Sequence, residues 1–112
     1  MPKRSQKMDQ VFSALGDPTR RAVVKRLSGG PAPVTELASG FKMALPSFTQ
    51  HLGVLEKCGL VRSRKRGRVR TYYLVPGPLE KAESWLTEQR SLWEKRLDQL
   101  DSYLLNMKEN SK

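Results

Sequence analysis

Between Thr35 and Val75 the spacing of apolar residues changes from one period to another, and no other feature narrows the fold as much. Up to Cys58 the spacing is helical. Phe48, Leu52 and Leu55 recur at i, i+4 and i+7, the stripe of a helix running from about Leu45 to Cys58. Pro46 sits in its first turn, where a missing N–H costs nothing. Gly59 then supplies the left-handed residue that stops a helix. Past it the period falls to about two residues. Leu60 to Lys65 read as a strand, Arg66-Gly67 as a turn and Val69 to Val75 as the returning strand, where Tyr72 and Tyr73 favour extended backbone. Upstream, Thr35 is expected to cap a helix through about Phe41, with Leu37, Ala38 and Phe41 inward. Lys42-Met43-Ala44 joins these two helices as a short turn.

Helices flank this segment on both sides. Met8, Val11, Phe12 and Leu15 form one apolar stripe, and Gly16 ends the helix that carries it. Asp17-Pro18 starts the next, with Asp as N-cap and Pro at the first helical position. Val23, Val24 and Leu27 are its inner face, and Ser28-Gly29-Gly30-Pro31 stops it. Val34 reads as a short strand. Pro76-Gly77-Pro78 breaks the chain before a last helix from Leu79 to about Met107, with apolar residues at 79, 82, 86, 93, 97, 100, 104 and 107. The expected fold is mainly α with a small β-hairpin, the order of a winged helix-turn-helix. With 112 residues there is room for one domain, placed at residues 8–108, after a loose basic arm over residues 1–7.

The charge points to a partner. The chain carries +10, and the excess is not spread evenly. From Leu79 onward six basic residues meet seven acidic ones, so the basic surplus lies entirely in the first 78 residues. Arg62, Arg64, Lys65, Arg66, Arg68 and Arg70 put six cations into nine residues of the hairpin without one acid. A solvated hairpin is the plain reading of such a run. Beside a helix-turn-helix pattern it reads better as a wing that grips DNA phosphates or enters the minor groove. The outward residues of the preceding helix, Ser47, Thr49, Gln50 and His51, are short and polar, as a helix lying in the major groove requires. Gln can bond adenine bidentately, Ser and Thr suit base edges or phosphates, and His51 is a phosphate contact or a packed polar residue.

Other chemistries have little to stand on. One cysteine, Cys58, and one histidine, His51, fall short of a thiolate or imidazole metal site, so neither a metal nor another cofactor is expected. No triad or acid–base pair is legible, so an enzyme is not expected either. Cys58 reads as a small buried residue of a reducing, cytoplasmic setting, and no apolar run approaches the ~18 residues of a membrane span.

Three segments resemble the ArsR-type family of repressors: Gly16 to Arg21, Val34 to Ala38, and above all Leu45 to Val61. The resemblance extends from about Met8 to Leu105. It implies a recognition helix at Ser47, Thr49, Gln50 and His51 and a wing at the basic hairpin. It also implies a homodimer built on the first and last helices, through Met8, Val11, Phe12, Leu15, Leu86, Trp93, Leu97, Leu100 and Leu104. The expected partner is then double-stranded DNA bearing a pseudo-palindromic operator. Relatives that sense metals use cysteine pairs on the third helix or Asp and His on the last, and neither pattern is present here, which suggests a branch that does not sense metals. Ala44 stands where many relatives have a capping Ser. Trp85, Trp93 and Tyr103 fit either an interface core or the lining of an effector pocket, and the sequence names no effector. Two other readings share these features: a winged-helix module that binds protein, and a non-specific coat for nucleic acid.

Overall fold

The computed structural model describes residues 3–110. The elements run α1 (Lys3–Leu15), α2 (Pro18–Leu27), β1 (Ala32–Pro33), α3 (Val34–Ser39), α4 (Leu45–Lys57), β2 (Val61–Arg66), β3 (Val69–Leu74) and α5 (Pro76–Asn110). The fold is a mainly helical winged helix-turn-helix with a small three-stranded antiparallel sheet in the order β1-β3-β2. The chain divides into two compact units, the first ending at Ala82 and the second beginning at Glu83.

The first unit has one core. Phe48, Leu52 and Leu55 of α4 are fully buried with Val23, Leu37, Leu60 and Val61, and Ala82 is the residue of α5 buried among them. Phe41 stacks against Phe48 with ring centroids 5.1 Å apart. Helix α4 ends as Gly59 requires. Gly59 has φ of 83°, its N–H bonds the Glu56 carbonyl, and the Leu60 N–H bonds the Leu55 carbonyl. That paired arrangement satisfies two of the carbonyls a helix end leaves bare, and it turns the chain directly into β2.

Several boundaries differ from the sequence reading. Helix α1 begins at Lys3, so residues 3–7 of the expected loose arm are helical; Met1 and Pro2 lie outside the described residues. Lys3 to Lys7 contain no glycine or proline to prevent this. The short strand is Ala32–Pro33 instead of Val34, pairing Ala32 with Tyr72 and Pro33 with Thr71. Val34 opens α3, and Pro33, not Thr35, is the N-cap, with no side-chain bond. In the hairpin, Arg66 pairs with Val69, so the two-residue turn is Gly67-Arg68, one position later than expected. Gly67 has φ of 62°, and among the described residues none other than glycine has positive φ. A positive φ at the first central position alone is the pattern of a type II′ turn. Finally, Pro76-Gly77-Pro78 follows the hairpin as expected, and it also forms the first turn of the last helix, which begins at Pro76 and not at Leu79. A first-turn proline lacks only an N–H that has no intrahelical partner in any case.

The second unit is the remainder of α5. Its large apolar residues are exposed in the single chain, Leu86 at 52% and Trp93 at 62% among them.

Candidate nucleic-acid interface

Helix α4, which the sequence reading expects to read DNA, presents its face through the spacing of its core residues. At roughly 100° per residue, Phe48, Leu52 and Leu55 fix the inward direction, and Pro46, Gln50, Gly53 and Lys57 fall on the opposite side. The four residues expected to read DNA do not share that face. Gln50 lies at its centre, Thr49 flanks one side, and Ser47 flanks the other together with His51. Ser47, Thr49 and Gln50 are exposed. Thr49 Oγ1 donates to the Leu45 carbonyl at 2.8 Å, so its hydroxyl proton is occupied and its oxygen remains an acceptor. Ala44 is the N-cap and offers no side-chain bond, which leaves the start of the helix open to an anion.

His51 is turned the other way. Its Nδ1 lies 3.3 Å from Arg20 Nη1 and 3.7 Å from Asp17 Oδ2, at the elbow between α1 and α2. A guanidinium can only donate, so this bond needs Nδ1 as acceptor and places the imidazole proton on Nε2. Arg20 is the centre of the cluster. Its Nε donates to the Ala14 carbonyl at 2.7 Å and its Nη2 to the Ser13 carbonyl at 3.2 Å, while Arg21 Nη1 donates to Leu15 O at 2.7 Å. The last carbonyls of α1 are thus closed by arginines of α2. Asp17 caps α2 by accepting from the Arg20 N–H at 3.0 Å. That backbone bond is the largest of the causes that hold the Asp17 carboxyl below the usual carboxylate range; burial opposes it, and the charge of His51 when it is protonated and that of Arg20 add smaller lowering effects. One sequence motif, Gly16 to Arg21, therefore fixes two helix ends and ties them to α4. The sequence reading saw the caps and missed Arg20. It also missed Pro46, Gly53 and Lys57 as outermost positions, although the 3.6-residue period contains that information.

The wing separates its cations by strand alternation. Arg62, Arg64 and Arg66 project from one face of the sheet, across from Tyr73, Thr71 and Val69. Lys65 and Arg70 pair on the other face, and Arg68 is in the turn. All six residues are exposed. Arg70 Nη1 donates to Ser63 Oγ at 2.8 Å, which holds that side chain along the sheet. Below it the Tyr72 phenol is pushed up from its ordinary pKa, first by burial and then by the neighbouring Glu56 carboxylate at the end of α4. The base of the wing and the C-terminal end of α4 meet there.

The residues expected to form a dimer interface divide as well. Met8, Phe12 and Leu15 are half-buried. Val11 is 3% exposed and packs in the core of its own chain, which corrects its placement at an interface. Leu86, Trp93, Leu97, Leu100 and Leu104 are all exposed along α5. Among the described residues no group of three or more His, Cys, Asp or Glu side chains is placed to hold a metal ion, and no helix is long and apolar enough to cross a membrane.

Comparisons with known proteins agree with this geometry. The profile of a helix-turn-helix domain family matches residues 15–64. An HTH-type transcriptional regulator of Mycobacterium tuberculosis is 46% identical over 68 residues, covering 61% of this chain and 64% of that protein, so the chain spans just under two thirds of that relative. The transcriptional repressor SdpR of Bacillus subtilis is 30% identical over 79 residues, covering 70% of this chain and 88% of the repressor. The crystal structure of an ArsR family transcriptional regulator superposes with a TM-score of 0.75 at 53% identity, over 79% of this chain and 97% of that one. The chain belongs to the ArsR family of DNA-binding transcriptional regulators.

Proposed function

We propose that the protein is a repressor that acts as a homodimer on a pseudo-palindromic operator in the cytoplasm. The observation that carries this reading is the pairing of a polar, outward face on α4 with six exposed cations on the adjoining hairpin. The two parts divide the work. Gln50 is positioned to read a base edge, while the wing cations supply sequence-independent attraction to phosphate. SdpR, a repressor, is among its relatives. Repression follows when the bound dimer blocks polymerase. The exposed apolar residues of α5 supply the self-complementary surface for a second copy, which would set two recognition helices about 34–36 Å apart. With one cysteine and one histidine in the sequence, we place it in a branch that does not sense metals.

The test is fluorescence anisotropy with duplex from upstream of its own gene and random duplex of equal length, at about 0.15 M salt. The upstream duplex should bind at least ~10³-fold tighter. Gln50→Ala should lose about 1–3 kcal/mol of discrimination between sequences. Arg68→Ala should weaken both duplexes alike and reduce the salt slope by about one unit. Absence of binding to either duplex would favour a winged helix that binds protein. Equal binding to both would favour a nucleic-acid coat.

A further inference from the structure

Gly53 stands in the interior of α4, a helix of 13 residues. Glycine is among the poorest helix residues, because it gives up the most backbone freedom and packs nothing. The usual reasons for tolerating one are absent here. Gly30, Gly59 and Gly67 have positive φ, and Gly53 does not. A Cβ built on Gly53 would meet nothing within 4 Å, and the residue is exposed. No feature of the chain itself therefore calls for a glycine at this position.

Its direction supplies a reason. Gly53 lies one turn beyond Gln50 and one turn before Lys57, on the face turned away from Phe48, Leu52 and Leu55. If that face enters the major groove, a Cβ at 53 points at the duplex. The side chains around it have reach, since Gln50 and Lys57 are long and flexible. Gly53 alone brings bare backbone to the surface, and glycine is the residue that lets a ligand approach a main chain closely.

We propose that Gly53 is the point of closest approach between α4 and the duplex, and that it sets how deeply the recognition helix is seated. This rests on the reading of α4 as the DNA-contacting helix. With the backbone against the groove wall, Gln50 comes within bonding distance of a base edge. A methyl group at 53 lifts the helix and lengthens that contact.

The prediction has opposite signs in two measurements. Gly53→Ala should melt a few degrees higher than the wild type, about 2–6 °C, because alanine is the better helix former. The same variant should bind about 5–100-fold more weakly to a duplex enriched from a random library by the wild-type protein. Gly53→Leu should bind more weakly still. Gly77→Ala, in the first turn of α5, where an added Cβ likewise meets nothing within 4 Å, should leave affinity unchanged. Gly53→Ala binding as tightly as the wild type, or tighter, would overturn the proposal. If Gln50→Ala loses discrimination while Gly53→Ala does not change affinity, only the role of Gly53 falls. If the wild type enriches no duplex, the DNA-contacting role of α4 falls with it.

Discussion

Leu52 and Leu97 are the same side chain in opposite circumstances. Leu52 is fully buried in the core of the first unit, and Leu97 is 41% exposed on α5. The contrast extends to their surroundings. Up to Ala82, the apolar side chains converge from α1, α2, α3, α4 and the sheet onto one cluster. Beyond Ala82, α5 carries Leu86, Trp93, Leu97, Leu100 and Leu104 with at least two fifths of each surface open. Soluble single chains do not usually leave such a contiguous row uncovered. The difference teaches that the first unit closes a core within one chain, whereas the exposed row of α5 is the surface on which the proposed second copy would sit.

The largest expected effect breaks the first half of that comparison. Leu52→Ala should cost about 2–5 kcal/mol, since the cavity is left in a fully packed core. Chemical denaturation should show this loss at every protein concentration. The second half predicts a different signature. Trp93→Asp with Leu97→Asp should do little to the first unit and should separate the dimer, with each central aromatic anchor worth at least ~2 kcal/mol. Sedimentation over a range of concentrations checks it. An unchanged oligomer would remove α5 as the dimer surface, and a monomeric wild type would remove the dimer altogether.

Much of this contrast was legible in the sequence, and the reasons differ by element. The helical period of Phe48, Leu52 and Leu55 and the stop at Gly59 placed α4 to within a residue, because helix and cap are both local. The same local reasoning put the hairpin turn one residue early, since Arg66-Gly67 and Gly67-Arg68 differ only in cross-strand register, which depends on partners outside the turn. Pro76-Gly77-Pro78 reads as the end of the hairpin, and the same prolines also suit the first turn of a helix, so the sequence alone places the start of α5 three residues late. Val11 was assigned to an interface because periodicity reveals an apolar face without revealing what covers it. His51 and Arg20 are 31 positions apart, and no spacing rule links them. The cationic wing was legible as a run of charge, but its division between two faces needed the strand pairing.

The tie between Arg20 and His51 sharpens the comparison from the polar side. The first unit is held by this cluster as well as by its core, so Arg20→Ala should destabilise it by about 1.5–3 kcal/mol through lost charge-assisted bonds to Ser13 and Ala14. Like the loss at Leu52, this effect should be independent of concentration. His51→Ala should leave the bonds to α1 intact and release only α4, giving a smaller loss in melting temperature and weaker DNA binding. If both variants lost DNA affinity without any change in stability, Arg20 and His51 would be contacts to DNA, and the elbow would not depend on them.

The smallest effect isolates a single charge. Asp17→Asn keeps a side-chain oxygen to accept the Arg20 N–H, because Asn caps a helix as well as Asp does. What it removes is the negative charge beside His51 and Arg20. The folded carboxyl titrates below its ordinary value of 3.8, so folding favours the ionised form. That contribution is fully present above the unfolded pKa and disappears as pH falls through the lower, folded pKa. The wild type should therefore melt above Asp17→Asn at pH 6, and the two melting curves should converge as pH drops below about 4. A gap that stayed constant across this range would mean that the charge contributes nothing and that Asp17 serves the elbow as a cap alone. In that case the polar tie between α4 and the α1–α2 turn would rest on the bond from the Arg20 guanidinium to His51.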